Sequence, residues 1–150
     1  MTAEQLQFVI AAVLLLHGLA HLVALAALLA ILVGVRSPTT HAPGLWALPR
    51  ASGRSAAIVG AVLWGAATGG FLAAAAAFWG LGLDPSAWRP TAIGASLSSL
   101  FGMAAFAGSW PGSSGKRRSM LNTAIATLVD VIIIAALLFL RWPPLELFGR

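Results

Sequence analysis

Residues 6–35 read LQFVIAAVLLLHGLAHLVALAALLAILVGV, a run of 30 residues without Asp, Glu, Lys or Arg. A helix needs about 20 apolar residues to cross the hydrocarbon of a bilayer, so this stretch predicts a membrane span. Thirty residues of helix reach about 45 Å, and the helix must therefore tilt or extend beyond the hydrocarbon. Thr2 and Gln5 have the spacing of a capping box, which predicts the helix start. Because Glu4 replaces the basic leader of a signal peptide, we expect the span to be retained.

The rest of the chain has the same apolar character. Of its 150 residues, 59% are hydrophobic and 9% are charged, whereas a soluble domain has about 25% charged residues. The composition predicts an all-α membrane protein, an antiparallel up-down bundle of four transmembrane helices in one domain, 1–150. This leaves no room for a separate soluble catalytic domain. The expected spans are 6–35, 55–79, 88–110 and 120–140.

Composition also excludes several classes of site and partner. The chain has no Cys, which rules out disulfides, thiolate metal sites and iron–sulfur clusters. A net charge of +5 and a pI near 11.8 would suggest nucleic acid as the partner of a soluble protein. Here the nine Lys and Arg residues lie near predicted helix ends, so the expected partner is the lipid bilayer and no nucleic acid.

Basic residues predict how the chain is oriented. Two connections, 36–54 and 111–119, lie on one side of the predicted bundle and together carry six Lys and Arg residues, against three on the other side. Cytoplasmic loops carry the excess of positive charge. We therefore expect both connections in the cytoplasm of a multi-pass cell-membrane protein, with the N- and C-termini outside.

Small residues predict which helices pack closely. In lipid, helices approach each other through small side chains, because little hydrophobic force drives them together. The second span has such residues at four-residue spacing, and the third span has a similar series. We expect these two ridges to meet. The ridge positions are Ala61, Gly65, Gly69, Ala73 and Ala77 in the second span, and Gly94, Ser98 and Gly102 in the third.

Three ionisable side chains lie deep in the predicted spans. His17 and His21 are near the centre of the first span, and Asp130 is at the centre of the fourth. A central Asp costs about 2.5 to 3.5 kcal/mol to insert, and such groups usually face the bundle interior with a partner. The histidines share a helix face because they are four apart. We expect Asp130 to accept a hydrogen bond from one of them, on a polar stripe that also holds Thr123 and Thr127.

This cluster is compatible with several functions. His17 and His21 could bind a divalent metal such as Zn²⁺ with Asp130 as third ligand, although no Glu follows His17 as hydrolytic HExxH sites require. A quinone head group or a proton in transit would need only His, Asp, Thr and a cavity. Bis-histidine haem within one chain is excluded, because two histidines one turn apart cannot face each other across an iron. The cluster could instead be an interhelical clamp that fixes helix register.

The tryptophans predict membrane boundaries and a packing anchor. Trp64 lies inside a span, where we expect it to pack against other helices. The other tryptophans lie near predicted boundaries, where aromatic belts occur without any ligand. His41 lies in a proline-rich connection and is expected to be solvated. The boundary residues are Trp46, Trp79, Trp88, Trp110 and Trp142.

Short motifs carry a resemblance to a known group. His17-Gly18-Leu19-Ala20-His21, the segment Gly60 to Trp64, and Trp110 followed by a basic, glycine-containing connection and Asn122 are its matching parts. Together they resemble an uncharacterised group of small bacterial four-span membrane proteins with an HGxxH motif in the first helix. In that group a Lys-Phe-Gly-Thr-like loop precedes the asparagine, whereas this chain has a different sequence at 115–121. The resemblance implies a four-span fold and topology and no activity.

The sequence therefore predicts a small non-enzymatic membrane protein, an accessory or self-associating subunit with a His/Asp cluster at mid-membrane. The alternative is a ligand-handling protein that binds a metal, a quinone or a proton at His17, His21 and Asp130. We expect no cofactor in the first case and a divalent metal as the alternative. A transporter acting alone is less favoured, because four spans enclose little cavity and the chain shows no inverted repeat. A homo-oligomer or a larger membrane complex would be compatible with either function.

Overall fold

The computed structural model describes residues 2–35, 53–107, 109–113 and 115–144, and this part of the chain is helical without strands. Helices α1 (Ala3–Leu32) and α2 (Gly53–Trp79) come first. A 3₁₀ turn (Pro85–Ala87) leads into α3 (Trp88–Ala105). Helix α4 (Lys116–Ile134) continues as a π-helical segment (Ala135–Phe139). His41 and Trp46 lie outside the described residues.

Three of these helices are long and apolar enough to cross a membrane. They are α1, α2 and α4 with its π-helical extension, which together cover Lys116–Phe139. The first two begin two or three residues earlier than the sequence predicts, and α4 begins four residues earlier. At the start of α1, Thr2 Oγ1 accepts from the Gln5 N–H at 3.2 Å and Gln5 Oε1 accepts from the Thr2 N–H at 2.9 Å. The predicted capping box is therefore confirmed.

The third predicted span, 88–110, is too long by five residues. Helix α3 has 18 residues and ends at Ala105, with the Phe106 N–H bonded to the Gly102 carbonyl at 3.0 Å. Pro111 disfavours helical backbone at the residue before it, which explains why helix does not continue to that point. The polypeptide instead turns inward, so that a Cβ on Gly112 would lie 3.1 Å from the Ala27 Cβ of α1. Gly112 has a φ of +83°, a conformation that suits glycine.

The core consists of two apolar clusters at different heights in the bundle. Helices α1 and α3 run from the first to the second cluster, and α2 and α4 run from the second to the first. The first core cluster comprises Ala11, Leu14, Phe71, Ala74, Ala75, Ala77, Phe78, Trp88, Ala92, Ala95, Ile133 and Leu137. The second core cluster comprises Ala24, Leu28, Ile31, Ala56, Ala57, Trp64, Met103, Phe106, Trp110 and Ala126.

Helices α1 and α2 pack closely at Gly18. A Cβ on Gly18 would lie 2.9 Å from the Phe71 Cβ, a distance that real Cβ atoms do not reach. Helix α2 also packs on α3, whereas α4 packs chiefly on α3. Gly18 stands between His17 and His21 in the sequence, so this close contact lies at the level of the histidines.

The predicted small-residue ridge is wrong in part. Gly69 and Gly94 are exposed and have no neighbour within 4 Å of a built Cβ, and Gly65 faces Leu25 of α1. Helices α2 and α3 meet instead where a Cβ on Gly70 would lie 2.8 Å from the Ala95 Cβ. A spacing of four residues rotates by about 40° per step on a helix with 3.6 residues per turn. A five-position ridge therefore cannot face one straight neighbour throughout.

Two other members of the predicted ridges do contact α2. The Ser98 hydroxyl donates to the Leu63 carbonyl at 3.0 Å. A Cβ on Gly102 would lie 3.3 Å from the ring of Trp64. Trp64 is 1% exposed and packs against Phe106, with ring centroids 5.2 Å apart, so the predicted packing anchor is confirmed.

An arginine and an aspartate organise the opposite end of the bundle. Arg89 Nη2 donates to the carbonyls of Arg141 and Pro143, and so joins the start of α3 to the segment after α4. Asp84 Oδ1 accepts from the Ser86 N–H at 2.8 Å and caps the 3₁₀ turn. This hydrogen bond holds the pKa of Asp84 below its ordinary value, because it favours the charged carboxylate.

Candidate functional site

A layer of buried polar side chains separates the two core clusters. Every described helix contributes to it, at the height where its apolar residues change from one cluster to the other. All of its members have less than a tenth of their surface exposed. We call this set the polar layer; its members are His17, His21, Thr68, Ser96, Ser99 and Asp130.

His17 and Asp130 form the link between α1 and α4 in this layer. His17 Nε2 lies 2.9 Å from Asp130 Oδ1, although the two residues are 113 positions apart. His17 is 8% exposed and Asp130 is 0% exposed. The two side chains are therefore neighbours, as their depths in the sequence predict. This hydrogen bond uses one of the two ring nitrogens of His17 and one of the two carboxyl oxygens of Asp130.

His21 has a different set of partners. Its Nε2 lies 3.2 Å from the Ser99 hydroxyl of α3. Its ring stacks between Phe71, at a centroid distance of 6.0 Å, and Trp110, at 5.8 Å. The rings of His17 and His21 meet edge to face at 4.8 Å. His21 is thus enclosed by aromatic rings and fully buried.

Several polar atoms of the layer are buried without a hydrogen-bond partner. They include His21 Nδ1 and Asp130 Oδ2. The other polar atom of each side chain, His21 Nε2 and Asp130 Oδ1, does have a partner. The hydroxyls of Thr68 and Ser96 also lack a partner. A buried polar group without a partner costs about 1 to 3 kcal/mol. Of the six such atoms among the described residues, four lie in the polar layer; the other two are Trp64 Nε1 and Arg89 Nε.

His17, His21 and Asp130 also have the composition of a metal site. One ligand atom from each residue can be chosen so that all three lie within 4.8 Å of one another. A tetrahedral Zn²⁺ with bonds of about 2.0 to 2.1 Å holds its ligand atoms about 3.4 Å apart. The three ligand atoms would therefore have to approach one another by roughly 1.4 Å at the widest separation to hold such an ion. The arrangement can hold a metal or a hydrogen-bonded ligand.

The two threonines proposed for the site lie at its edge. The Thr127 hydroxyl donates to the Met103 sulfur at 3.3 Å, so its observed partner is on α3. Thr123 is half-buried, about two turns before Asp130. Neither belongs to the fully buried polar layer.

Sequence reasoning missed four residues at this height. Thr68 is a single hydroxyl residue in an apolar stretch, and Ser96 and Ser99 lie in the serine-containing stretch 95–100 of α3. The spacing of Ser96 and Ser99, three apart, places them on one helix face and was an available signal. Trp110 was assigned to a membrane boundary, but it is 7% exposed and lies against His21.

The other boundary tryptophans among the described residues have two outcomes. Trp88 is 1% exposed and packs on Phe78 at 4.7 Å, so its assignment to an aromatic belt is wrong. Trp79 and Trp142 are 44% and 43% exposed, which is compatible with an interfacial position.

Compared with protein-family models, curated proteins and solved structures, the chain matches none.

Proposed function

We propose that the chain is a multi-pass membrane protein whose four helices all cross the bilayer in an up-down arrangement. The alternating order of the core clusters along α1 to α4 supports this proposal. Helix α3, with 18 residues, reaches about 27 Å, close to the thickness of the hydrocarbon. The termini would lie outside and the connections 36–54 and 111–119 in the cytoplasm. A four-span arrangement is also what the resemblance of its HGxxH motif to small bacterial four-span proteins implies.

The proposed function is the handling of a small polar ligand in the polar layer. The observation that carries it is the pair of unpartnered acceptors, His21 Nδ1 and Asp130 Oδ2, beside the His17–Asp130 hydrogen bond. A clamp that only holds helices together gains nothing from extra buried polar atoms, because each costs about 1 to 3 kcal/mol without a partner. A bound metal, quinone head group or proton-carrying water would engage these atoms.

The second candidate is an accessory or self-associating subunit in which the polar layer fixes helix register. The hydrogen bond from His17 to Asp130 favours this function, because it joins α1 to α4, which otherwise packs chiefly on α3. Interhelical hydrogen bonds in membranes contribute on average about 0.6 kcal/mol and up to about 1.7, which would favour one register over others.

Both candidates are non-enzymatic. Ser99 lies beside His21, a pairing that occurs in hydrolases, but a catalytic histidine needs an orienting carboxylate on its other nitrogen. His21 Nδ1 has no such partner, and Asp130 is bonded to His17. The geometry therefore favours binding over covalent chemistry.

Purification in mild detergent distinguishes the two candidates. Mass spectrometry, elemental analysis and an absorption spectrum would identify any species bound to the wild-type protein, to His21→Ala and to Asp130→Asn. Ligand handling predicts a bound species in the wild type that both variants lose. A clamp predicts no bound species and a large fall in melting temperature for Asp130→Asn. That second result would contradict the proposed function.

A further inference from the structure

We propose that the ligand of the polar layer is a divalent transition-metal ion of the zinc class. This inference rests on the proposed function and names the chemistry of its ligand. The ion would be held by His17, His21 and Asp130. One possible ligand atom of each can be chosen so that the three lie within 4.8 Å of one another.

The donor set selects the class of metal. Imidazole nitrogen suits Zn²⁺, Co²⁺ and Cu²⁺, whereas Ca²⁺ and Mg²⁺ prefer oxygen ligands alone. Three protein ligands leave a fourth position open, as in sites where a metal binds a water or a passing ligand. The carboxylate of Asp130 offsets half of the charge of a divalent ion. A site made of neutral groups alone would offset none of it. The set therefore favours a transition metal over a hard cation.

The unpartnered atoms provide the lone pairs. When His21 carries its proton on Nε2, that nitrogen donates to the Ser99 hydroxyl and Nδ1 is free to bind the ion. Asp130 Oδ2 is also free, because the bond from His17 involves Oδ1. With its proton on Nε2 for that bond, His17 would bind the ion through Nδ1. Histidine ligands almost always donate their other N–H to a fixed acceptor. Ser99 is that acceptor for His21, and so acts as a positioning residue.

Burial keeps competing water away from the site. Asp130 and His21 are both 0% exposed, and the rings of Phe71 and Trp110 lie on the two faces of His21. A low-dielectric environment strengthens the attraction between an ion and a carboxylate. The same burial makes the unpaired acceptors costly in the metal-free protein, so ion binding removes a cost as well as forming bonds.

The test is a titration of the tag-free protein with Zn²⁺ and Co²⁺ in detergent. Equilibrium dialysis with elemental analysis gives stoichiometry and affinity, and the visible spectrum of Co²⁺ reports a tetrahedral site. We expect one ion per chain, bound at least about tenfold more weakly by Asp130→Asn and by His21→Ala. Ca²⁺ and Mg²⁺ should not compete.

Matched controls come from the same residue types elsewhere in the chain. Asp84→Asn removes a carboxylate from the 3₁₀ turn, and His41→Ala removes the third histidine; both should bind the ion as the wild type does. Ser99→Ala keeps the three ligands and should weaken binding less than His21→Ala. If Asp130→Asn does not fold, Ser99→Ala and His21→Ala still carry the test.

Two results would overturn the inference. If the wild type binds neither ion, or if His21→Ala and Ser99→Ala bind as well as the wild type, the polar layer is not a metal site. A copurifying organic ligand that His21→Ala loses would then leave the proposed function standing and remove the metal alone. The absence of any species bound at His21 would remove both.

Discussion

The indole ring of Trp110 lies over the imidazole of His21, with ring centroids 5.8 Å apart and ring planes inclined by 19°. Trp110 belongs to the connection between α3 and α4, and its backbone N–H donates to the Ser119 hydroxyl in the first turn of α4. The connection is therefore packed into the bundle and forms one wall of the polar layer.

Replacing Trp110 with Ala should destabilise the protein and open His21 to solvent. Removal of a buried aromatic side chain costs about 3 to 5 kcal/mol, and Trp110→Phe should lose much less because it retains a stacked ring. Thermal unfolding in detergent measures the difference. Trp79→Ala is the control, because this side chain is 44% exposed. Equal melting temperatures for Trp110→Ala and the wild type would contradict the packing described here.

His17 and Asp130 should be energetically coupled. We expect the double variant His17→Ala with Asp130→Ala to be less destabilised than the sum of the single variants, by about 0.6 and up to about 1.7 kcal/mol. Denaturant unfolding in mixed micelles measures the three free energies. For His17→Ala combined with Asp84→Ala, the losses in free energy of unfolding should add, because Asp84 bonds to Ser86 and not to His17. Additivity in both pairs would show that the bond contributes nothing to stability.

The adjacent glycines Gly69 and Gly70 should respond differently to the same substitution. Gly70→Leu adds a side chain at a position where a Cβ would lie only 2.8 Å from the Ala95 Cβ. We therefore expect it to lower the free energy of unfolding by about 1 to 3 kcal/mol. Both substitutions raise helix propensity by the same amount. Because a side chain at Gly69 has open space around it, Gly69→Leu should be tolerated or stabilising. Melting temperatures of the two purified variants decide the matter. A larger loss for Gly69→Leu would restore the ridge that the sequence predicted.

Arg89 should hold the segment after α4 against the start of α3. Because Arg89 is half-buried, Arg89→Ala should cost about 1 kcal/mol. Hydrogen exchange of the amides at 140–142 should quicken, and Arg89→Lys should restore part of the protection. Arg117→Ala, an exposed arginine at the start of α4, serves as the control. Unchanged exchange at 140–142 in Arg89→Ala would mean that the guanidinium does not fix this segment.

A reporter at the C-terminus distinguishes four spans from three. If α3 crosses the bilayer, both termini lie outside, and an alkaline phosphatase fused to the C-terminus should be active. A fluorescent protein inserted near Gly115 should report the cytoplasm, in agreement with the basic residues that follow. Should the C-terminal phosphatase be inactive and a C-terminal fluorescent fusion bright, α3 would not span the membrane as proposed.

Particular residues show how far the sequence reached. Thr2 and Gln5 predicted the start of α1, because a capping box depends on residues three apart. Depth in the spans predicted that His17 and Asp130 would be neighbours. The ridge of small residues failed at Gly69 and Gly94, because four-residue spacing does not state which neighbour a helix face meets. Local sequence patterns likewise did not predict the partners of His21, because those partners lie far away in the sequence.

The amino-acid sequence by itself determined the helical class and the membrane setting, since long apolar runs without charge satisfy their backbone hydrogen bonds only as helices in lipid. It also determined the depth of the ionisable side chains. Tertiary structure decided the rest: α3 ends at Ala105, Trp110 packs on His21, and four helices contribute to one polar layer. The physical reason is that helix rotation and the path of a connection depend on contacts between residues far apart in sequence, which no local pattern specifies.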